Sequence, residues 1–204
     1  MDFRALCLIG AMGIVSPLRG APPAWWRALP RQQALSARFV QESDSAVFGK
    51  LSQRGALVLA QGGRLRVSYD SGLLVVSDGR TLTQYDPDTR TAQRIALGEA
   101  LRAFPLLGLL LEPSRIGVIY RVEALPDGTV LLHPREAGLP EVRVAGRNGL
   151  LHTLAWTDGT GAHQRMELED ARTPAHPPAG AFRFDPPKGT RWVSPEGSRA
   201  IPPG

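Results

Sequence analysis

Cysteine is all but missing from this chain of 204 residues. Its one thiol, Cys7, sits in an apolar run near the start, and once that run is removed as an export signal no thiol remains. Disulfide staples, cysteine nucleophiles and zinc-thiolate sites are excluded together. Nor does Cys7 stand where a lipid-anchoring cysteine would. Arg4, Ala5 and Leu6 precede it in place of a longer apolar stretch ending in small residues.

Long apolar runs are absent too. Ala5 to Val15 falls well short of the roughly 20 residues that span a bilayer. With Arg4 ahead of it and Ser16-Pro17 behind, it reads as a secretory signal over residues 1–20. Residues 21–204 are then expected to form one domain, a length that buries about 70% of the unfolded surface. Lysine is nearly lacking, at Lys50 and Lys188 only, so the net charge of +5 is arginine. Beyond the signal the arginines run from Arg27 to Arg199 singly or in alternating pairs such as Arg64 and Arg66. They form no cluster interleaved with aromatics, so nucleic acid is not the expected partner.

Catalytic patterns are missing as well. His133, His152, His163 and His176 lie far apart, with no helical metal-ligand spacing. No Gly-x-Ser-x-Gly elbow occurs, and Gly159-Thr160-Gly161 lacks the third glycine of a phosphate cradle. Asp78, Asp86 and Asp88 are spaced for two turns and not for acid-base work. The chain is therefore expected to be no enzyme and to need neither cofactor nor metal.

What is abundant is turn chemistry, with Gly 22 and Pro 18. Alternation of period two is clearest in Arg64-Leu65-Arg66-Val67-Ser68-Tyr69 and recurs in Leu35 to Glu42, Ala56 to Ala60, Leu73 to Ser77, Thr81 to Tyr85 and Thr91 to Ile95. It returns in Tyr120 to Leu125, Thr129 to Leu132, Glu141 to Ala145, Leu150 to Thr157 and Gln164 to Leu168, with Phe182 to Phe184 and Arg191 to Val193 closing the domain. Asp78-Gly79, Pro126-Asp127-Gly128 and Asn148-Gly149 mark tight turns between them. Regular short strands of this kind predict an antiparallel meander curling into a barrel or strongly bent sheet. Trp25 to Leu29 predicts a short helix stopped by Pro30. Glu99 to Leu111 is too leucine-rich and too poor in β-branched residues for a strand, and Pro105 and Pro113 bound short helices there. A bent sheet leaves one concave apolar face, and this insertion is its natural plug.

Phe39-Val40-Gln41, Ser77-Asp78-Gly79 followed by Tyr85-Asp86-Pro87, Phe104-Pro105-Leu106-Leu107 and Phe182-Arg183-Phe184-Asp185-Pro186-Pro187-Lys188-Gly189 resemble the LolA family of outer-membrane lipoprotein carriers in order and spacing, from about Ala34 to Val193. The resemblance implies a mainly β fold, an antiparallel unclosed half-barrel of about eleven strands with a short helical lid inserted mid-chain. It further implies a soluble periplasmic monomer that takes lipoprotein acyl chains from an inner-membrane ABC transporter and hands them to an outer-membrane LolB-like receptor. Family carriers place an Arg-Pro pair at the second turn, where the arginine helps hold the lid shut; this chain has Gln61-Gly62. A specialised paralogue serving glycolipid or aryl polyene export, or a lipid-sensing module like RseB, stays open beside the carrier reading. The expected acyl cavity is lined by Leu57, Leu59, Leu65, Val67, Tyr69, Leu82, Met166 and Leu168 and capped by Phe104, Leu106, Leu107 and Leu110.

Overall fold

The computed structural model describes residues 21–103 and 106–194, with the side chains of Ala103, Leu106 and Leu107 excepted. The proposed signal over residues 1–20 and the lid residue Phe104 therefore lie outside the described residues. Strands β1 (Ala34–Ser45), β2 (Gly49–Ala60), β3 (Arg64–Tyr69), β4 (Leu74–Asp78), β5 (Thr81–Asp86) and β6 (Thr91–Ala96) form a first meander. Helices α2 (Leu97–Ala103), α3 (Leu106–Leu111) and α4 (Ile116–Ile119) interrupt it, α1 (Ala24–Ala28) having preceded β1. Strands β7 (Tyr120–Ala124), β8 (Val130–Pro134), β9 (Val142–Arg147), β10 (Leu150–Thr157) and β11 (His163–Arg172) make the second, and β12 (Arg191–Trp192) follows.

All twelve described strands belong to one sheet in the order β12-β6-β5-β4-β3-β2-β1-β11-β10-β9-β8-β7. The strand β1 joins the two meanders by pairing with β2 on one edge and β11 on the other. The outermost strands, β7 and β12, do not pair with each other, so the sheet is antiparallel and unclosed apart from the parallel β12–β6 contact.

Register puts the apolar residues of neighbouring strands on one face. Leu35 stands opposite Leu59, Leu59 opposite Leu65, Leu65 opposite Ser77, and Ser77 opposite Leu82. In the second meander Val122, Leu132, Val142 and Trp156 follow one another in the same way. Residues from both halves meet in one buried cluster, which marks this face as the concave one. Turns are fixed locally: Asp78 Oδ1 accepts from the amides of Arg80 and Thr81 at 2.7 and 2.8 Å, while Gly79 takes φ +96° against the Gly62 carbonyl.

At one rim α1 holds the second meander. The Trp25 ring lies on Gly146, where a Cβ would collide with it, and its Nε1 donates to the Gly128 carbonyl at 3.1 Å. At the other rim β1 and β2 run on beyond β3, so that Gly49 to Arg54 are exposed. The Ser45 hydroxyl accepts from the amides of Val47 and Phe48 in the connecting turn.

The segment around Phe182 to Phe184 is no strand, contrary to its alternation. Pro177, Pro178, Pro186 and Pro187 cannot donate to a ladder, and tight turns close through Ala181 and Arg183 onto the Pro178 and Gly180 carbonyls. The segment instead crosses the convex face of β3 to β6. Arg66 donates to the Ala181 carbonyl, Arg64 covers Phe182, and Arg94 bonds Thr83 and lies 4.6 Å over the Trp192 ring. Val76, Thr83 and Ala92 are buried beneath it. Three of the scattered arginines thus fasten the C-terminal segment.

Candidate functional site

Every expected lining residue on a strand reaches the concave face. Leu57, Leu59, Leu65, Leu82 and Leu168 are buried, while Val67, Tyr69 and Met166 are half-buried. Leu57 pairs with Val67, and Met166 with Gln41 beside Leu168 and Phe39. The interior is occupied in this state, since α3 lies against β2 and puts Leu109 and Leu111 into the core at 2% and 5% exposure. Leu110, expected as a cap, is half-buried, while Leu109 and Leu111 on either side of it are buried on different faces of the helix. Leu106 and Leu107 open this helix, and their side chains lie outside the described residues.

The cover is anchored where its chain enters. Leu97, the first residue of α2, donates its amide to the Arg80 carbonyl at 2.8 Å and lays its side chain over Gly63, whose φ is +73°. This is the turn where the family resemblance implies an arginine. Here closure rests on Leu97 over a glycine and on the buried α3 leucines.

Where α3 meets the β1–β2 rim a groove of about 390 Å³ remains, walled by Leu29, Leu35, Leu59, Leu109, Leu110 and Leu151 among others. Gln32, Gln33, Gln61, Glu112 and Arg115 share its lining, so this seam between helix and sheet is apolar along the leucines and polar at its edge. A larger groove, about 680 Å³, lies at the opposite rim, but Glu42, Asp44, Lys50, Glu141, Arg143 and Arg165 line it and make it a poor host for hydrocarbon.

Several concave-face residues lie outside the expected cavity lining. Phe39, 1% exposed, packs edge-on to Tyr69 at 5.2 Å over Gly55. Burial raises the pKa of the Tyr69 phenol, which stays protonated at neutral pH. Tyr120 is fully buried, and its hydroxyl has no hydrogen-bond partner among the described residues. Arg121 and Glu123 alternating with Val122 already signal which side of β7 faces inward.

Three of the four histidines are held by structural bonds. His133 lies 2.8 Å from both Glu123 and Glu141, His152 Nδ1 donates to the Leu168 carbonyl at 2.8 Å, and His163 bonds Thr157. Asp78, Asp86 and Asp158 each accept from the amides of their own turns. Among the described residues no group of three or more His, Cys, Asp or Glu could hold a metal ion.

The family model described as outer membrane lipoprotein carrier protein LolA matches residues 31–185. The chain is similar to an outer-membrane lipoprotein carrier protein of Chromobacterium violaceum, 30% identical over 194 residues that cover 90% of this chain and 93% of the relative. One of Bordetella bronchiseptica is 28% identical over 206 residues, covering 90% and 95%. An uncharacterized conserved protein from Thermus thermophilus shares the fold, with a TM-score of 0.51 at 14% identity over 84% of this chain and 97% of the other.

Proposed function

The chain belongs to the LolA family of outer membrane lipoprotein carriers, and from that premise we propose that it shields acyl chains against the concave face of its sheet and carries them across the periplasm. The partners this implies are an inner-membrane exporter as donor and an outer-membrane LolB-like receptor as acceptor, with residues 1–20 as the export signal. No described helix is long and apolar enough to cross a membrane.

One observation carries the reading: an unclosed sheet gathers apolar residues of both its meanders on one face, and a short, leucine-rich helical insertion packs into that face. Each methylene moved from water to such a site gains about 0.8 kcal/mol. A long acyl chain would then approach the ceiling of non-covalent affinity and could not be released. Leu109 and Leu111 fill the space first, so cargo must displace them before it gains contacts, and net affinity drops to a level compatible with transfer.

Extraction of lipid from protein purified out of its native periplasm tests the proposal, together with titration by a fluorescent fatty acid. Co-purified acyl lipid and saturable uptake support it. Absence of both overturns it.

A further inference from the structure

We propose that the Tyr120 hydroxyl is the polar anchor of the acyl site, donating a hydrogen bond to the ester or amide carbonyl that joins an acyl chain to the rest of its cargo. The inference rests on the carrier reading above and adds to it the chemical group recognised.

Tyr120 is the first residue of β7 and stands opposite Pro134, on the same face as Val122. It is 0% exposed and belongs to the buried hydrophobic cluster. Its oxygen has no hydrogen-bond partner among the described residues. A buried hydroxyl left without a partner destabilises the closed state, and phenylalanine would fill the same volume without that cost. Burial pushes the phenol pKa upward, so at neutral pH the group stays protonated and offers a proton.

Its place in the chain fits the role. The helical insertion ends at Ile119 in α4, and Tyr120 follows it directly as the extended residue that opens β7. A hydrocarbon tail needs no polar contact, but the carbonyl at its head loses water on entering the site and needs a donor. An ester or amide carbonyl is neutral and requires no accompanying cation in an apolar cluster. Tyr120 would remain unsatisfied while the site is filled by leucines and become satisfied when cargo replaces them. That difference adds to the driving force for loading.

The test compares the full mature chain with its Tyr120→Phe variant, using two probes: a pyrene-labelled diacylglycerol, which carries ester carbonyls, and diphenylhexatriene, which has no hydrogen-bonding group. Wild type should bind both. Tyr120→Phe should lose about three- to tenfold in affinity for the diacylglycerol, the scale of one hydrogen bond, while its affinity for diphenylhexatriene is unchanged and its melting temperature is equal or higher. Unchanged diacylglycerol affinity overturns the anchor and leaves the carrier reading standing. A parallel loss for both probes with a lowered melting temperature marks Tyr120 as a packing residue only and also overturns it. Failure of wild type to bind either probe removes the carrier reading and the anchor with it.

Discussion

Replacing Leu109 by alanine separates a displaceable cover from permanent core. The side chain is 2% exposed on α3. Its truncation removes three carbons, at about 0.8 kcal/mol each, and leaves a cavity besides, for a total of roughly 2–4 kcal/mol. If α3 is core in every state, that loss appears in stability alone, and binding of any acyl ligand is unchanged or weakened. If α3 must be displaced by cargo, the same loss is subtracted from the cost of opening. The apparent affinity then rises, by roughly thirty- to seven-hundredfold for the full 2–4 kcal/mol, since each 1.4 kcal/mol is a factor of ten. Thermal unfolding followed by circular dichroism measures the first quantity, with an expected fall of about 5–10 °C. Titration with a fluorescent fatty acid measures the second. A Leu109→Ala variant that melts earlier and also binds less tightly would refute a self-filling cover, and the concave face would then be an ordinary core.

Other outcomes follow from the same packing. Gly146→Ala places a Cβ against the Trp25 ring, so it should cost about 1–3 kcal/mol and shift tryptophan emission to the red as Nε1 leaves the Gly128 carbonyl; unchanged emission and melting would count against that contact. Arg94→Ala removes the cation over Trp192 and the bond to Thr83. It should lower the melting temperature by about 2–4 °C, corresponding to about 1 kcal/mol, and speed proteolysis between residues 173 and 190. Asp158 is held at a pKa of about 2, down from 3.8, first by the Thr160 hydroxyl, then by the Gln164 side chain and the amides of Thr160 and Ala162. Because the folded pKa is the lower one, its contribution is complete above about pH 4 and lost as pH falls through about 2. Asp158→Asn should therefore show a shallower drop in melting temperature over that interval than wild type.

Much of the fold could be read from the chain because alternation and turn residues agree. Arg64 to Tyr69 alternates cleanly, and its expected inward residues Leu65, Val67 and Tyr69 do share the face of Leu57 and Leu59. The length of β1 and β2 was not readable. Glu42 to Ser45 and Gly49 to Gln53 are mostly polar on both sides, and their extended form is held by the ladder between them. The phase of α3 was equally hidden, because Leu-Leu-Gly-Leu-Leu-Leu carries no contrast between faces, and among its described side chains only packing distinguishes the buried Leu109 and Leu111 from the half-buried Leu110. Phe182-Arg183-Phe184 imitates a strand, yet its prolines and the arginines of β3 and β6 bind it across the convex surface. Tyr120 escaped because a tyrosine opening a strand gives no sign of an unsatisfied oxygen until its neighbours are known.

The seam between β1 and β11 has a kinetic meaning. Ser36 meets Arg172 across it, so the strand made first is completed by one made more than a hundred residues later. Each arm of the sheet is a run of hairpins that forms from local contacts, but the arms close on each other only after β11 has emerged. Until then one margin of β1 offers bare amides and carbonyls to any passing extended chain. Nascent molecules are thus sticky for most of their synthesis or passage, and a polypeptide ending before His163 would stay so for good.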